Sequence, residues 1–332
     1  MPNWLIVIAF FCFCYAPNCV QATEALIIYA PSAFSAEWGA GPAIQKAFET
    51  QYQHPIRWVV FSGATAMLNR LKIEGASSPA DVVLGLDNHL LRLAQESGLL
   101  TPPNDSSTTL TLPGGWSEPL CIPYGYSYLT FIYNHQRVKN PPKSLRELVE
   151  GPDHWKLLYA DPRSSSLGLQ FLHWITHCYG AAVNTAWRRL AAKTVTVTPD
   201  WSSAYGLFMK GEADFVLGYN SSLAYHNQQQ ANHPYRATIL AEGHPLQIEV
   251  AAKLASSRQP ELADRFIQFM LTPTVQRLLV ERHGIYPVID IPLPAAFDNL
   301  TTPPLLPISR AEYTSDNQQQ WIQLWRRAST SG

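Results

Sequence analysis

Leu26-Ile27-Ile28-Tyr29 leads into the helix-like Ala43-Ile44-Gln45-Lys46-Ala47-Phe48, then Ile56-Arg57-Trp58-Val59-Val60-Phe61, Ala66-Met67-Leu68-Asn69-Arg70-Leu71 and Asp81-Val82-Val83-Leu84. Three short runs rich in aliphatic and aromatic residues therefore alternate with two stretches of helical period. Strands separated by helical crossovers pair in parallel, so this segment predicts an α/β lobe.

Working downstream, Tyr128-Leu129-Thr130-Phe131-Ile132-Tyr133 predicts a further strand. Ser144-Leu145-Arg146-Glu147, just after the breaker Asn140-Pro141-Pro142, has the N-cap and Glu spacing of a helix start. A second α/β unit follows through Trp155 to Tyr159, the apolar stretch Leu169 to Tyr179, Thr194 to Thr198, and Phe215-Val216-Leu217. After His244-Pro245, the strand-like Leu246 to Ala252 returns toward the first unit and a helix is expected over Pro260 to Leu271. Beyond Pro303 to Pro307, a polar, Trp-bearing helix is expected near Gln318 to Arg327.

Working upstream, Trp4 to Phe11 opens a short apolar run that meets Pro17, Asn18 and Val20-Gln21-Ala22. That is the layout of a secretory signal with cleavage after Ala22, and the run is too short to cross a bilayer. A buried N-terminal helix and, through Cys19, a lipoprotein are the competing readings. Removing the signal leaves about 310 residues, more than one core usually organises. The resulting division is an export segment over 1–22, a first lobe over 23–125, a second lobe over 126–245, and a return to the first lobe with C-terminal helices over 246–332.

Charge is nearly balanced, 24 Lys plus Arg against 25 Asp plus Glu, which offers no basic surface for nucleic acid and no polybasic membrane patch. A small, weakly charged ligand fits this balance better. Cys12, Cys14 and Cys19 sit in or beside the export signal, leaving Cys121 and Cys178, whose pairing spacing alone does not decide.

Several stretches carry a resemblance: Glu37-Trp38-Gly39 with Gly41-Pro42, Leu68-Asn69-Arg70-Leu71, Ala80 to Asn88, Pro113-Gly114-Gly115-Trp116, and Asp161-Pro162-Arg163. Trp201-Ser202, Ala204 to Phe208, Lys210-Gly211-Glu212, Tyr219 to Tyr225, and Ile285-Tyr286-Pro287-Val288 continue it. Across roughly residues 25 to 330 the chain resembles the periplasmic thiamine-binding protein family, within the type II periplasmic binding proteins. The resemblance implies a type II fold: two α/β lobes joined by hinge strands, with the ligand cleft between them. It also implies a periplasmic, monomeric protein that needs no cofactor and is not an enzyme. Such a protein delivers thiamine or a phosphorylated thiamine to an ABC permease and its ATPase.

Thiamine presents a flat aminopyrimidine, a cationic thiazolium and a hydroxyethyl or phosphorylated tail, so its receptor needs aromatic faces, polar edge contacts and anion-binding donors. Trp38, Trp201, Tyr219 and Tyr225 are the aromatic candidates, and the resemblance carries the last three onto ligand-contacting positions. Core or hinge packing is the plainer reading of any one of them. Ser164-Ser165-Ser166 precede an apolar helix, where backbone N–H groups and hydroxyls suit a phosphate or hydroxyl oxygen. By resemblance Ser165 and Ser166 take the tail, against an ordinary N-cap. Tyr219-Asn220-Ser221-Ser222 ends a strand where α/β proteins place ligands, with Asn220 and Ser222 as donors or as plain helix caps.

The chain also departs from that family. Pro31-Ser32 stands where the family carries Tyr-Asp, Ser62 replaces an acid before Gly63, and Gly284 replaces a stacking tryptophan beside His283, a partial substitute. Loss of two carboxylates redirects recognition of a cation. The pyrimidine moiety, another heterocycle, or ferric iron held by Tyr219 and Tyr225 are the alternative cargoes. The sequence holds no G-x-S-x-G elbow, P-loop or H-E-x-x-H helix, and His173 and His177 lack a third metal ligand at suitable spacing.

Overall fold

A computed structural model describes residues 24–104, 108–230, 232–306 and 314–329. The expected export segment 1–22, with Cys12, Cys14 and Cys19, lies outside the described residues, as does Pro307.

Strands β1 (Leu26–Pro31), β2 (Ile56–Phe61) and β3 (Val82–Asp87) are connected by helices α1 (Ser32–Ser35), α2 (Gly41–Tyr52) and α3 (Ala64–Glu74). β1 lies between β2 and β3, parallel to both. Side chains alternate across a strand, and β1 shows the consequence. Leu26, Ile28 and Ala30 join one apolar cluster with Phe34, Ile44 and Phe48. Ile27 and Tyr29 enter the opposite one with Met67, Leu68 and Leu71. Asp81, read as the first residue of a strand, instead tethers this sheet: Oδ2 accepts from the Ile27 N–H at 2.9 Å and Oδ1 from Ser257 Oγ at 2.7 Å.

After α4 (Leu91–Glu96) and the short β4 (Leu100–Thr101) comes β5 (Ile122–Asn134), longer than the expected run from Tyr128. Its first half, to Tyr128, pairs antiparallel with β10 (Leu246–Leu254), which also pairs with β3 and β4. Its second half, from Leu129, pairs with β8 (Phe215–Tyr219) and β9 (Tyr235–Ala237). The strand order is β2-β1-β3-β10-β5-β8, continued by β6 (Leu157–Ala160) and β7 (Thr194–Thr198). β5 thus belongs to both lobes.

In the second lobe, β6 is parallel to β7 and β8, with α5 (Leu145–Glu150), α6 (Ser166–Tyr179), α7 (Val183–Lys193), α8 (Trp201–Met209) and α9 (Ser222–Gln229) around them. The helix start read at Ser144 is present: its side chain accepts from the Glu147 N–H at 3.0 Å, and Glu147 reaches back to the Lys143 N–H at 2.8 Å. Gly168 sets the seat of α6. A Cβ there would lie 2.1 Å from the Ala160 carbonyl oxygen, so only glycine lets the first turn press onto the end of β6.

The last part of the chain requires a correction. α10 (Pro260–Phe269) packs on β10 and α11 (Pro273–Leu278) on α2, but α12 (Ser315–Ser329) lies on α6 and α7 of the second lobe. Trp325 is buried there and its Nε1 donates to Tyr159 OH at 3.0 Å, while Trp321 packs on the His173 ring at 4.6 Å. Burying the Trp325 indole and half-burying Trp321 needs the apolar helix pair of that lobe. No disulfide joins Cys121 and Cys178, and burial pushes the Cys178 thiol up to about 11.

Candidate functional site

The C-terminal end of β3 meets the second lobe at Asp87, and strand ends of α/β sheets are where ligands collect. Contacts across the gap between the lobes define the candidate site. Asp87, at the end of β3, faces the Ser166 hydroxyl on α6 and the Glu249 carboxylate on β10. Tyr219, at the end of β8, donates from its hydroxyl to Gln247 Oε1, which also accepts from Gln170 Nε2 at 2.6 Å. Burial and the Glu249 and Asp87 charges push the Tyr219 phenol well above its ordinary range.

Trp201 opens α8 behind the Asp200 N-cap, which accepts from the Ser203 N–H at 2.8 Å. Its ring stands 5.0 Å from Tyr205 and 6.5 Å from Tyr219, so the structure brings Trp201 and Tyr219 into one aromatic wall. Trp201 Nε1 is buried without a hydrogen-bond partner. Ser165 is the N-cap of α6 and makes no side-chain cap bond, while its neighbour Ser164 donates to the Pro199 carbonyl at 2.8 Å. The single serine that an ordinary cap requires is therefore not the one facing the gap.

Other candidates are placed differently. Trp38 is 61% exposed in the loop before α2, and Tyr225, also 61% exposed, touches His226 edge-on at 5.6 Å. Ser62 is exposed and Gly63 is the N-cap of α3, with open space where a Cβ would stand. Ser222 begins α9.

Asn220, read as a ligand donor, and Ser221 are only 1% and 2% exposed and lie where β5 passes between the lobes. Asn220 Oδ1 accepts from the Tyr128 N–H at 3.2 Å, and Nδ2 donates to Tyr286 OH at 3.0 Å and the Thr301 carbonyl at 3.4 Å. Ser221 Oγ bonds Ser127 Oγ at 2.8 Å. Buried polar groups seek partners, and at the crossing of β5 the backbone and Ser127 supply them. The His283 side chain turns inward, with Nε2 3.2 Å from Glu249 Oε2 and its ring edge-on to Phe34 at 5.5 Å. Gly284 beside it has φ +68°, and its N–H bonds the Leu279 carbonyl at 3.0 Å as a helix terminator.

Sequence reasoning missed Asp87, Gln247, Glu249 and Tyr124, whose hydroxyl donates to Glu249 Oε2 at 2.6 Å. A signal existed: Gln247 and Glu249, two apart, interrupt the otherwise apolar run that opens β10, the period that puts both on one face of a strand.

Comparison with known proteins gives the family. The family described as bacterial extracellular solute-binding protein matches residues 43–295. The chain is 45% identical over 316 residues to the thiamine-binding periplasmic protein of Escherichia coli K12, covering 95% of this chain and 96% of that one. It is 39% identical over 312 residues to the protein of the same name from Brucella abortus, 93% of each chain. Among solved structures, a periplasmic thiamin binding protein superposes with a TM-score of 0.89 at 44% identity, over 94% of this chain and 98% of that one. Iron-bound HitA from Pseudomonas aeruginosa, at 20% identity and a TM-score of 0.72 over 92% and 99% of the two chains, shares the fold. With its two α/β lobes and the type II architecture, the chain belongs to the bacterial extracellular solute-binding protein family.

Proposed function

We propose that this protein captures thiamine, or a thiamine phosphate, between its lobes in the periplasm and hands it to the permease and ATPase of an ABC importer. The role is binding and release, without chemistry. The observation that carries the reading is the pairing of the Trp201–Tyr219 wall with the start of α6, where the Ser165 side chain makes no cap bond. An aromatic wall suits a flat heterocycle, and a helix N-terminus whose cap serine makes no cap bond suits a hydroxyl or phosphate tail. The names borne by the full-length relatives supply the identity of the ligand that has both parts.

Small residues at Ser32, Ser62 and Gly63, the last with nothing within 4 Å of where a Cβ would stand, leave room for a ligand beside the first lobe. Ferric iron fits less well. Tyr219 gives its proton to a hydrogen bond with Gln247 and is pushed away from the tyrosinate that iron would require, while Tyr225 sits exposed on α9.

Trp201→Ala is expected to weaken thiamine binding about tenfold through lost stacking and cation–π contact, with an unchanged melting temperature. Fluorescence titration of the remaining tryptophans checks this; parental affinity in the variant would make Trp201 a packing residue. Ser165→Ala with Ser166→Ala is expected to weaken thiamine monophosphate by about tenfold and thiamine itself by less, because hydrogen bonds to a charged tail are the stronger. Equal losses for both ligands would remove the tail assignment.

A further inference from the structure

We propose that Asp87 and Glu249 together form the counter-charge of the cleft, the pair of carboxylates against which the positively charged ring of the ligand is held. The assignment rests on the thiamine reading above and adds to it the residues that select for charge.

A permanent organic cation taken out of water needs negative charge nearby. The strand ends of the first lobe supply none at Ser32 or Ser62. Asp87 and Glu249 are register partners on the antiparallel strands β3 and β10, so their side chains leave the same face of the sheet. Like charges placed directly opposite on neighbouring strands are destabilising. The surroundings compensate this pair only in part. Glu249 has the Tyr124 hydroxyl and the His283 imidazole. Asp87, 1% exposed, accepts at Oδ1 from the His89 and Leu90 N–H groups at 3.0 and 3.1 Å. Its other oxygen, Oδ2, is buried and has the Ser166 hydroxyl across the gap as its one side-chain partner, which tempers the charge without cancelling it. Among the described residues no Lys or Arg forms a salt bridge with Asp87, and burial, with the facing Glu249 carboxylate, pushes its carboxyl up to about 6.

The second lobe brings the matching surface. Tyr219 feels both carboxylates and also ends the wall begun by Trp201. A flat cation on that wall therefore has the two acids opposite it. A site holding one unbalanced buried charge is what a cationic ligand completes.

The test uses the full chain and two ligands: thiamine, and the neutral isostere in which a thiophene replaces the thiazolium. Asp87→Asn keeps the acceptor for His89 and Leu90, and Glu249→Gln keeps an acceptor for Tyr124. The parent is expected to prefer thiamine over the isostere by at least about tenfold. Each substitution is expected to weaken thiamine by about tenfold while leaving the isostere within about threefold, and the isostere also reports that the variant is folded. The groups facing the pair are His283, Tyr124, Tyr219 and Ser166. Of the two carboxyls, Asp87 is the one raised into the mildly acidic range, so thiamine affinity of the parent should rise as pH increases through about 6 and should lose that rise in Asp87→Asn. Equal loss of both ligands would make the acids structural and overturn the assignment, as would a parent that binds both ligands equally. A parent that binds neither overturns the thiamine reading itself.

Discussion

Lys253→Met is expected to destabilise the protein by about 3 to 5 kcal/mol, the cost of breaking a buried ion pair from one side. Lys253 lies on β10 with 9% of its side chain exposed, and its Nζ is 2.7 Å from Oδ2 of Asp264 on α10, whose side chain is 8% exposed. The other Asp264 oxygen accepts from the Asn104 N–H at 3.1 Å. Methionine fills the volume of the lysine stem but leaves a carboxylate in the core with one backbone donor. Chemical denaturation measures the loss. Adding Asp264→Leu should recover most of it, because two apolar residues no longer leave a charge stranded. A loss below about 1 kcal/mol for Lys253→Met would show that the pair is solvated like a surface one.

Asn220→Ala is expected to cost about 2 to 4 kcal/mol, since it strands the Tyr128 N–H and the Tyr286 hydroxyl at the lobe junction. Melting and ligand titration together separate the two roles that the sequence allowed. A hinge residue lowers the melting temperature, whereas a ligand donor leaves it unchanged and lowers affinity alone. An unaltered melt would return Asn220 to the binding surface.

That ambiguity shows where sequence reading ends. The alternation from Leu26 to Leu84 set the class of the fold, because a period of two against one of 3.6 is a local property. The Ser144 start was legible for the same reason, its partner Glu147 being three residues away. Asn220 was not, since its partners Tyr128 and Tyr286 are 92 and 66 residues distant. Pro123 and Gly125, both poor strand residues, hid the first half of β5, which pairs with β10 through a register shift between Glu249 and Val250. A Trp-bearing amphipathic helix near the C-terminus was visible, but nothing local says which lobe will accept Trp325. His283 was read as a ligand face, and its turn toward Glu249 depends on a carboxylate 34 residues earlier. The Ser164–Ser166 run was the best-marked part of the proposed site, because a helix start needs one hydroxyl and three were present.

Calorimetric titration of the protein with thiamine, its mono- and diphosphate, the free pyrimidine and ferric citrate tests the central claim most directly. The account expects saturable one-to-one binding of thiamine or a thiamine phosphate with a Kd of about 1 μM or lower, and no such binding of ferric citrate. Absence of heat from every thiamine compound at roughly millimolar concentration, where even a weak site would fill, would contradict it.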